Sequence, residues 1–398
     1  MTGAADEKQG IDKIAPAQER GGAQPLSPFM RRFADTSVPF DILSHDGRVQ
    51  RFGSGAPAFR ITVSDTRGAK ALASLDEGVI AEAYLEGAID ITGDMLRPFE
   101  LRKSIGDLHP LASAWRFLHP FLFGQVATNK KAIASHYDID PDFFLSFLDP
   151  VTPCYTQGVY LSADEGLDVA TTRKFDWCIK ACGFKPGDRF LEIGPGWGAF
   201  GAHAAKYGLK MTGITNSPFS KAFLDKKAQQ IGADWDIILT DFLEYEPEQR
   251  FDGIVIMGVI EHLPDYAKVL DRFMRFVKPG GYIFVDGSAA TKKYELSSFM
   301  VKYIYPGNHS FLVLHDFLEK AAKTPLKVME LHNDTESYFY TFRQWAINFE
   351  RNKDDVVRSF GEHNFRRFRL YLWGAAHEFL SGSLDCYRMV LRSPPSPH

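Results

Sequence analysis

Residues 191–198 (LEIGPGWG) have the types and spacing that most clearly serve chemistry. Gly194, Gly196 and Gly198 follow a short apolar run. Glycines in such a turn let the backbone approach a ligand closely and aim amide donors at it, although dinucleotide-binding turns look similar. Glu192 stands inside the run, where its carboxylate would repel a pyrophosphate but not a positively charged ligand. The segment therefore favours a cationic cofactor, while a structural role for Glu192 as a helix-capping carboxylate stays open.

The four cysteines give little support for metal or disulfide chemistry. Cys178 and Cys182 lie four residues apart on a predicted helix and could share a face. No second Cys or His pair at zinc spacing accompanies them in the sequence. We therefore expect two buried thiols, no metal site and a reducing compartment.

Alternating strands and helices must position the glycine loop. From about residue 170, five apolar runs separated by helical patterns are predicted as strands. They cover residues 188–194, 209–215, 235–241, 251–258 and 278–287. Strands that alternate with helices at this spacing form a parallel sheet covered on both faces. Ligands of such sheets bind beyond the carboxyl ends of the strands, where the glycine loop lies.

The glycine loop resembles motif I of the class I methyltransferases that use S-adenosylmethionine. The similarity rests on the acidic residue, the Pro-Gly-Trp-Gly sequence and the later KPGG turn before a strand. It implies an α/β fold with a doubly wound, mostly parallel sheet, and S-adenosylmethionine as the cofactor. Asp241 and Phe242 fit the position that holds the adenine amino group, and Trp197 could wall the cofactor or fill space. Thr215 and Asn216 stand where the superfamily often has an acidic residue for the ribose hydroxyls.

Several further segments resemble the cyclopropane-fatty-acyl-phospholipid synthases. They are SHYDIDPDFFLSFLDP (135–150), CYTQGVY (154–160), VIEHLPDY (259–266), ESYFYTFRQWAINF (336–349), the closing FRRFRLYLWGAAHEFLSGSLDCYRMVLR and, nearer the N-terminus, GVIAEAYLEGAID. The resemblance covers about residues 55–392. It implies transfer of a one-carbon unit from S-adenosylmethionine to a double bond in a phospholipid acyl chain. The surplus of 33 Phe over 15 Tyr and 6 Trp independently fits an apolar acyl-chain site.

The family resemblance also implies a set of catalytic residues. In the family, a bound bicarbonate accepts the departing proton and is held by a Cys, a Glu, a His and a Tyr. The matching Glu and Tyr are Glu261 and Tyr338, whereas Gln157 replaces the cysteine and Asp286 replaces the histidine. Three further residues match family positions that contact the methionine end of the cofactor: Tyr137, Tyr155 and Thr156.

The replacement of His by Asp286 changes the chemistry that the resemblance implies. Two carboxylates would share the site, and their charges would repel bicarbonate. We expect that bicarbonate is lost or weakly bound and that Asp286 and Glu261 replace it, one of them with a raised pKa. Proton loss from the transferred methyl closes a cyclopropane ring, whereas loss from a chain carbon leaves a methylated or methylene-bearing alkene. We expect the alkene; ring closure with a structural Asp286 is the alternative.

Composition and hydropathy predict the organisation of the chain. With a net charge of −4, 45% hydrophobic and 24% charged residues, it is an ordinary globular protein without a basic excess for nucleic acid. Residues 1–35 are predicted to be a disordered tail, 36–125 a smaller α+β lipid-binding domain and 126–398 the methyltransferase domain. The chain shows neither a secretory signal nor an apolar run of 18 residues, so we expect a cytoplasmic protein.

Two stretches could contact a membrane. Residues 113–131 (SAWRFLHPFLFGQVATNKK) combine aromatic side chains with two lysines and suit the inner face of a bilayer, or form a packed inter-domain linker. Arg366, Arg367 and Arg369 could meet phospholipid headgroups, but salt bridges on a solvated helix face are the safer interpretation.

The sequence thus predicts an enzyme that transfers a one-carbon unit from S-adenosylmethionine to an unsaturated membrane phospholipid. A homo-oligomer and a downstream reductase are open as partners. One alternative is a methyltransferase with a soluble substrate, which would act without vesicles and without residues 1–125. The other is a lipid-binding protein that has lost catalysis and would not consume S-adenosylmethionine.

Overall fold

The structure is a computed structural model that describes residues 28–107, 140–293, 296–305 and 309–396. The chain divides into two compact units, residues 1–110 and 111–398. The predicted domain boundary at residue 125 and the predicted membrane-contact segment 113–131 lie outside the described residues. None of the helices in the described ranges is long and apolar enough to cross a bilayer.

The first unit is an α+β structure. Its strands are β1 (Phe40–Leu43), β2 (Val49–Phe52), β3 (Phe59–Val63) and β4 (Ile89–Gly93), and its helices are α1 (Pro28–Arg32), α2 (Thr66–Ser74) and α3 (Glu77–Leu85). The strands form one sheet in the order β2-β1-β3-β4, in which only β1 and β3 run parallel. Phe59, Ile61 and Val63 of β3 are buried, as its predicted alternation requires.

Helix α1 overlaps the predicted disordered tail, residues 1–35. Phe29 and Phe33 are buried, and their ring centroids lie 6.5 and 6.4 Å from that of Phe40. Burying two large apolar rings stabilises the first unit. Residues 28–35 therefore differ from the prediction, because this segment contributes to the core.

The second unit is built on a seven-stranded sheet. Its strands are β5 (Arg189–Ile193), β6 (Lys210–Thr215), β7 (Trp235–Leu239), β8 (Phe251–Met257), β9 (Val277–Ala289), β10 (Lys327–Asn333) and β11 (Asp385–Arg392). Their order is β10-β11-β9-β8-β5-β6-β7. β5 to β9, the five predicted strands, are parallel, whereas β11 is antiparallel to β9 and β10. The predicted doubly wound, mostly parallel α/β fold is confirmed.

Helices cover the sheet and extend beyond it. They are α4 (Pro141–Leu145), α5 (Leu167–Ala181), α6 (Ala199–Ala205), α7 (Pro218–Ile231), α8 (Tyr266–Phe276), α9 (Leu314–Ala322), α10 (Thr335–Arg351), α11 (Lys353–Phe360) and α12 (Glu362–Leu380). Local sequence sets their ends: α7 begins after Ser217, whose hydroxyl accepts from the Ser220 amide at 3.2 Å, and stops at Gly232 with φ 62°.

The core lies on both faces of the large sheet. Ile254, Val255 and Ile256 in β8 are all fully buried, which is typical of a central parallel strand covered on both sides. Phe273 of α8 packs in the cluster on one face and Phe175 of α5 in the cluster on the other. Cys178 and Cys182 are buried free thiols of the second cluster, as predicted.

Many of the phenylalanines pack between α4, α10 and α12. Phe143, Phe349 and Phe368 are almost completely buried there, and the Phe143 and Phe368 centroids lie 4.6 Å apart in an edge-on arrangement. These rings form a dense aromatic core among the described residues. The expected contribution of phenylalanines to an acyl-chain site stays a prediction.

Strand β10 is a feature that the sequence pattern does not predict. Six of its seven residues are exposed, so it lacks the alternation that marks a half-buried strand. It is held by main-chain pairing with β11, from Lys327 opposite Arg392 to Asn333 opposite Tyr387. Tertiary pairing, rather than local pattern, makes this segment a strand.

Candidate functional site

A cavity lies where β5, β6, β7 and β8 end. Its empty volume is about 1210 Å³, part of it open to solvent. Ten of the predicted cofactor-binding residues line it: Tyr155, Thr156, Glu192, Gly194, Gly196, Trp197, Thr215, Asn216, Asp241 and Phe242. Gly198 lies on the same loop but not in the wall, and Tyr137 lies outside the described residues. The carboxyl edge of the sheet therefore collects residues from separate segments of the chain.

The glycine loop needs glycine for two physical reasons. Gly194, Gly196 and Gly198 have φ values of 69°, 54° and 67°, in the left-handed region that side chains disfavour. A Cβ on Gly194 would lie 2.5 Å from Cγ2 of Val259, whereas a Cβ on Gly196 would meet nothing within 4 Å. Gly194 therefore serves close packing, while the free space at Gly196 leaves room for a ligand to approach the backbone.

Glu192 is a buried carboxyl in the wall of the cavity. Its Oε2 atom has no hydrogen-bond partner among the described residues. Burial raises the pKa of Glu192 to about 8, against the opposing charge of Lys227. The N-cap residue of α6 is Gly198, so Glu192 is not the N-cap of that helix. An unpartnered carboxyl oxygen suits a ligand that brings a donor or a positive charge.

Polar residues after β6 and β7 are joined across the cavity wall. The Asp241 carboxylate accepts from Asn216 Nδ2 at 2.8 Å and from the Leu243 amide at 2.7 Å. Thr215 Oγ1 accepts from the Ser217 amide at 3.2 Å, and Ser220 Oγ donates to the Gly196 carbonyl at 2.8 Å. These bonds hold the ends of two strands and the glycine loop in one fixed arrangement.

Glu261 lies just after β8, in the 3₁₀ turn Ile260–His262, and is buried. Its Oε1 atom accepts from the amide and the hydroxyl of Ser288, both at 2.8 Å, whereas Oε2 has no partner among the described residues. Burial raises the pKa of Glu261 to about 7; the Ser288 bonds oppose the shift and the charge of Asp286 adds to it. Such a group can accept and release a proton near neutral pH.

Asp286 has a different environment from the one that the sequence suggests. Its side chain is completely buried in β9, and Oδ2 accepts from Lys174 Nζ at 3.0 Å. Its other oxygen, Oδ1, accepts from the Gly258 amide at 2.9 Å. Both oxygens are therefore engaged. Asp286 forms half of a buried ion pair rather than a free carboxylate beside Glu261, and its role as a proton acceptor stays a prediction.

Lys174 is a site residue that the sequence analysis missed. It belongs to α5 and is completely buried, although lysine is rarely found inside proteins without a partner. The buried positions of this helix include Thr171, Lys174, Phe175 and Cys178, which follow one another at helical spacing. A lysine on the apolar stripe of an amphipathic helix is a detectable pattern, and it predicts a buried partner of opposite charge.

Gln157 and Tyr338, the two remaining predicted catalytic residues, are both buried. Gln157 Nε2 donates to Asp334 Oδ2 at 3.4 Å, and Oε1 has no partner among the described residues. The Tyr338 ring packs against Phe379, with centroids 4.5 Å apart. Burial raises the pKa of Tyr338 well above its ordinary value, and the charge of Glu261 is among the smaller contributions.

A chain of tyrosine hydroxyls begins at the cavity wall. The hydroxyl of Tyr155 donates to that of Tyr371 at 3.4 Å, and the hydroxyls of Tyr371 and Tyr305 lie 2.8 Å apart. Tyr371 and Tyr305 were not predicted site residues, because they are distant from Tyr155 in sequence. The chain places polar groups within a largely aromatic environment.

Two of the three arginines near the start of α12 form salt bridges. Arg366 pairs with Glu362 at 2.9 Å, and Arg369 pairs with Glu350 at 2.7 Å. For these two residues, the salt-bridge interpretation of the basic stretch is confirmed.

Comparison with known proteins supports a lipid-modifying site. A family model described as mycolic acid cyclopropane synthetase matches residues 125–389. The sphingolipid C9-methyltransferase of Komagataella phaffii (strain GS115 / ATCC 20864) is 26% identical over 339 residues, covering 78% of this chain and 68% of that protein. A probable fatty acid methyltransferase of Pseudomonas putida is 26% identical over 338 residues, covering 79% and 82%. The chain spans about two thirds of the length of the sphingolipid methyltransferases that it matches.

The solved structures show the same fold. The mycolic acid cyclopropane synthase CmaA1, complexed with SAH and CTAB, aligns with a TM-score of 0.61 and 22% identity. The alignment covers 66% of this chain and 98% of that one.

We predict that Gly194→Ala destabilises the protein by about 1–3 kcal/mol more than Gly187→Ala, because only the first substitution overpacks its surroundings. Gly187 is the matched control, since it also has a positive φ, 91°, but a Cβ there would meet nothing within 4 Å. Urea unfolding of the two variants measures the difference. Equal losses would mean that the Val259 contact does not constrain the loop.

Proposed function

The chain belongs to the mycolic acid cyclopropane synthetase family, and on this premise we propose that it transfers a one-carbon unit from S-adenosylmethionine to a double bond in a lipid chain. The observation that carries the proposal is Glu261, a buried carboxyl with one unpartnered oxygen in the turn between Val259 and His262, both of which line the cavity. A carboxyl with a pKa of about 7 is suited to take the proton that the reaction releases.

S-adenosylmethionine is the cofactor, and the cavity fits it. When bound, it supplies an electrophilic methyl group on a positively charged sulfur. The unpartnered oxygen of Glu192 fits a cationic ligand, and the open space at Gly196 lets a ligand reach backbone amides. Asp241 and Phe242 would hold the adenine end, while Tyr155 and Thr156 would contact the methionine end. The two ends of the cavity would thus orient the methyl group toward the substrate.

The proposed substrate is an unsaturated acyl chain of a membrane phospholipid. Relatives named as a sphingolipid C9-methyltransferase and a probable fatty acid methyltransferase support a lipid substrate. We further propose that residues 36–125 form a lipid-binding domain and that segment 113–131 contacts the inner face of the membrane. The enzymatic character of the family speaks against a lipid-binding protein without catalysis.

Proton removal would depend mainly on Glu261. Ser288 engages Oε1 and fixes the side chain, so Oε2 is the atom free to accept a proton. Asp286 is less suited, because the Lys174 ammonium and the Gly258 amide occupy both of its oxygens. The contacts therefore support Glu261 as the base and Asp286 as a supporting residue.

The proposed product is a methylated or methylene-bearing alkene, with ring closure as the alternative. C-methyltransferases among the relatives support it. So does the environment of Asp286 and Gln157, because a carboxylate and an amide stand where the family resemblance places a histidine and a cysteine.

The product identifies the reaction. We expect labelled methyl groups from S-adenosylmethionine to enter unsaturated phospholipid vesicles, and proton NMR of the released fatty acids to show methyl-branched or methylene signals. Mass alone does not discriminate, because cyclopropane and methylene products gain the same atoms. Cyclopropane proton signals would contradict C-methylation, and labelling of soluble compounds alone would contradict a lipid substrate.

Bicarbonate should not be needed, since Asp286 already places a carboxylate in this part of the site. We expect that adding bicarbonate to a carbonate-depleted vesicle assay leaves the rate unchanged. Strong stimulation would show that the anion still binds and would refute its proposed loss.

Glu261→Gln should lower kcat by about 10²–10⁴-fold, as expected for a lost general base, with binding of S-adenosylhomocysteine retained. The wild-type rate should rise with pH through about 7, because Glu261 accepts a proton only in its ionised form and burial raises its pKa to that value. The exposed Glu248→Gln is the matched control and should leave both unchanged. A fully active Glu261→Gln variant would exclude Glu261 as the base.

A further inference from the structure

Lys174 connects three parts of the second unit through one ammonium group. It extends from α5 and donates to Asp286 Oδ2 in β9 at 3.0 Å. The same nitrogen donates to Thr156 Oγ1 at 2.5 Å. Neither Lys174 nor Asp286 has any exposed side-chain surface, so neither charge is balanced by water.

One partner of Lys174, Thr156, lines the cavity, and the other, Asp286, is bonded to Gly258, which also lines it. Thr156 and Gly258 both line the cavity, and a Cβ on Gly258 would lie only 2.4 Å from Cγ2 of Thr156. Asp286 in turn accepts from the Gly258 amide at 2.9 Å. The ammonium therefore holds Thr156 directly and Gly258 through Asp286. Lys174 thus stabilises two adjoining parts of the cavity wall.

The charge of Lys174 also bears on the proton acceptor. Burial alone would lower the pKa of Lys174, but the charge of Asp286, the hydrogen bond to it and the nearby Cys154 and Cys386 together raise it. Burial raises the pKa of Asp286, and Lys174 opposes that shift. The charge of Asp286 contributes to the raised pKa of Glu261. Removing one charge of the Lys174–Asp286 pair would therefore change the pKa of Glu261.

Four described residues near Glu261 carry no charge that would compensate it at neutral pH. Ser288 in β9 donates two neutral hydrogen bonds. Burial lowers the pKa of the adjacent His262 to about 4, so this ring is neutral at pH 7. Burial raises the pKa of Tyr338 in α10 and of Cys386 in β11, so both stay protonated. Asp286, the partner of Lys174, is the charged side chain that contributes to the raised pKa of Glu261.

We propose that Lys174 is a positioning residue for the transfer reaction, because it holds Thr156 in the cavity wall, holds the Gly258 amide through Asp286 and balances the Asp286 charge beside Glu261. The proposal rests on the proposed function for its catalytic consequence, while its effect on the cavity wall can be measured without turnover. Lys174 itself touches no reacting atom and acts through its two partners.

Four variants test the proposal: Lys174→Met, Asp286→Asn, the double variant with both changes, and Lys180→Met. Lys180 is an exposed lysine of the same helix and is the matched control. We expect each single variant of the pair to weaken S-adenosylhomocysteine binding by about tenfold or more, because one buried charge is left uncompensated. The double variant should bind better than the product of the two single losses allows, since it contains no unpaired charge. Calorimetry measures all four affinities.

The pH profile of transfer to unsaturated phospholipid vesicles distinguishes an electrostatic effect on Glu261 from a general loss of activity. Asp286→Asn leaves the Lys174 charge unbalanced near Glu261, so the midpoint of the rising limb should move to lower pH by about one unit. The double variant should return the midpoint to the wild-type value. Thr156→Val removes the other contact of Lys174 and should weaken S-adenosylhomocysteine binding without moving the midpoint.

Circular dichroism shows which variants fold. If a variant with a single charge deleted does not fold, the double variant and Thr156→Val still test the proposal. Additive losses in the double variant, or wild-type affinity in both single variants, would overturn the role in the cavity wall. An unmoved midpoint in Asp286→Asn would overturn the electrostatic role. A wild-type chain that binds S-adenosylhomocysteine but modifies no lipid would contradict the proposed function, and the calorimetry would still decide whether Lys174 positions the wall.

Discussion

The ion pair between Lys174 and Asp286 lies entirely inside the protein, and this location constrains the structure around it. Transferring two charges from water into a protein interior costs several kcal/mol for each ion, so such a pair persists only where geometry and further hydrogen bonds compensate. Here the Thr156 hydroxyl and the Gly258 amide provide those bonds. A helix, a loop and two strand ends must therefore keep a common geometry, and that geometry forms part of the cavity wall.

Three buried carboxyl groups near the carboxyl edge of the sheet have different surroundings. Glu192 has an unpartnered oxygen and a pKa raised to about 8, which suits a cationic ligand. Glu261 is held on one side by Ser288 and has a pKa of about 7, which suits proton exchange. Asp286 has a lysine partner and a structural position. The proposed roles of these three groups therefore rest on their environments.

A second buried ion pair, between Asp334 and Arg388, lies next to Gln157. Asp334 accepts from Arg388 Nε at 2.8 Å, and the Arg388 guanidinium lies 4.1 Å from the centroid of the Trp177 ring. Gln157 is joined to Asp334 at 3.4 Å. At the two positions where the chain departs from the family resemblance, Asp286 belongs to one buried ion pair and Gln157 contacts the other. The departures come with compensating partners, which supports an altered proton-transfer site rather than a lost one.

The sequence by itself determined the five parallel strands, the glycine loop and most of the cavity wall. These features depend on local patterns, because apolar runs, turns and left-handed glycines are set by neighbouring residues. Tertiary structure alone decided the pairing of Lys174 with Asp286, the hydrogen bond from Ser288 to Glu261 and the contact of Tyr155 with Tyr371. It also made β10 a strand and placed Phe29 and Phe33 in a core. These outcomes depend on contacts between distant segments and on burial, which set charge, pKa and strand pairing only once the chain has folded.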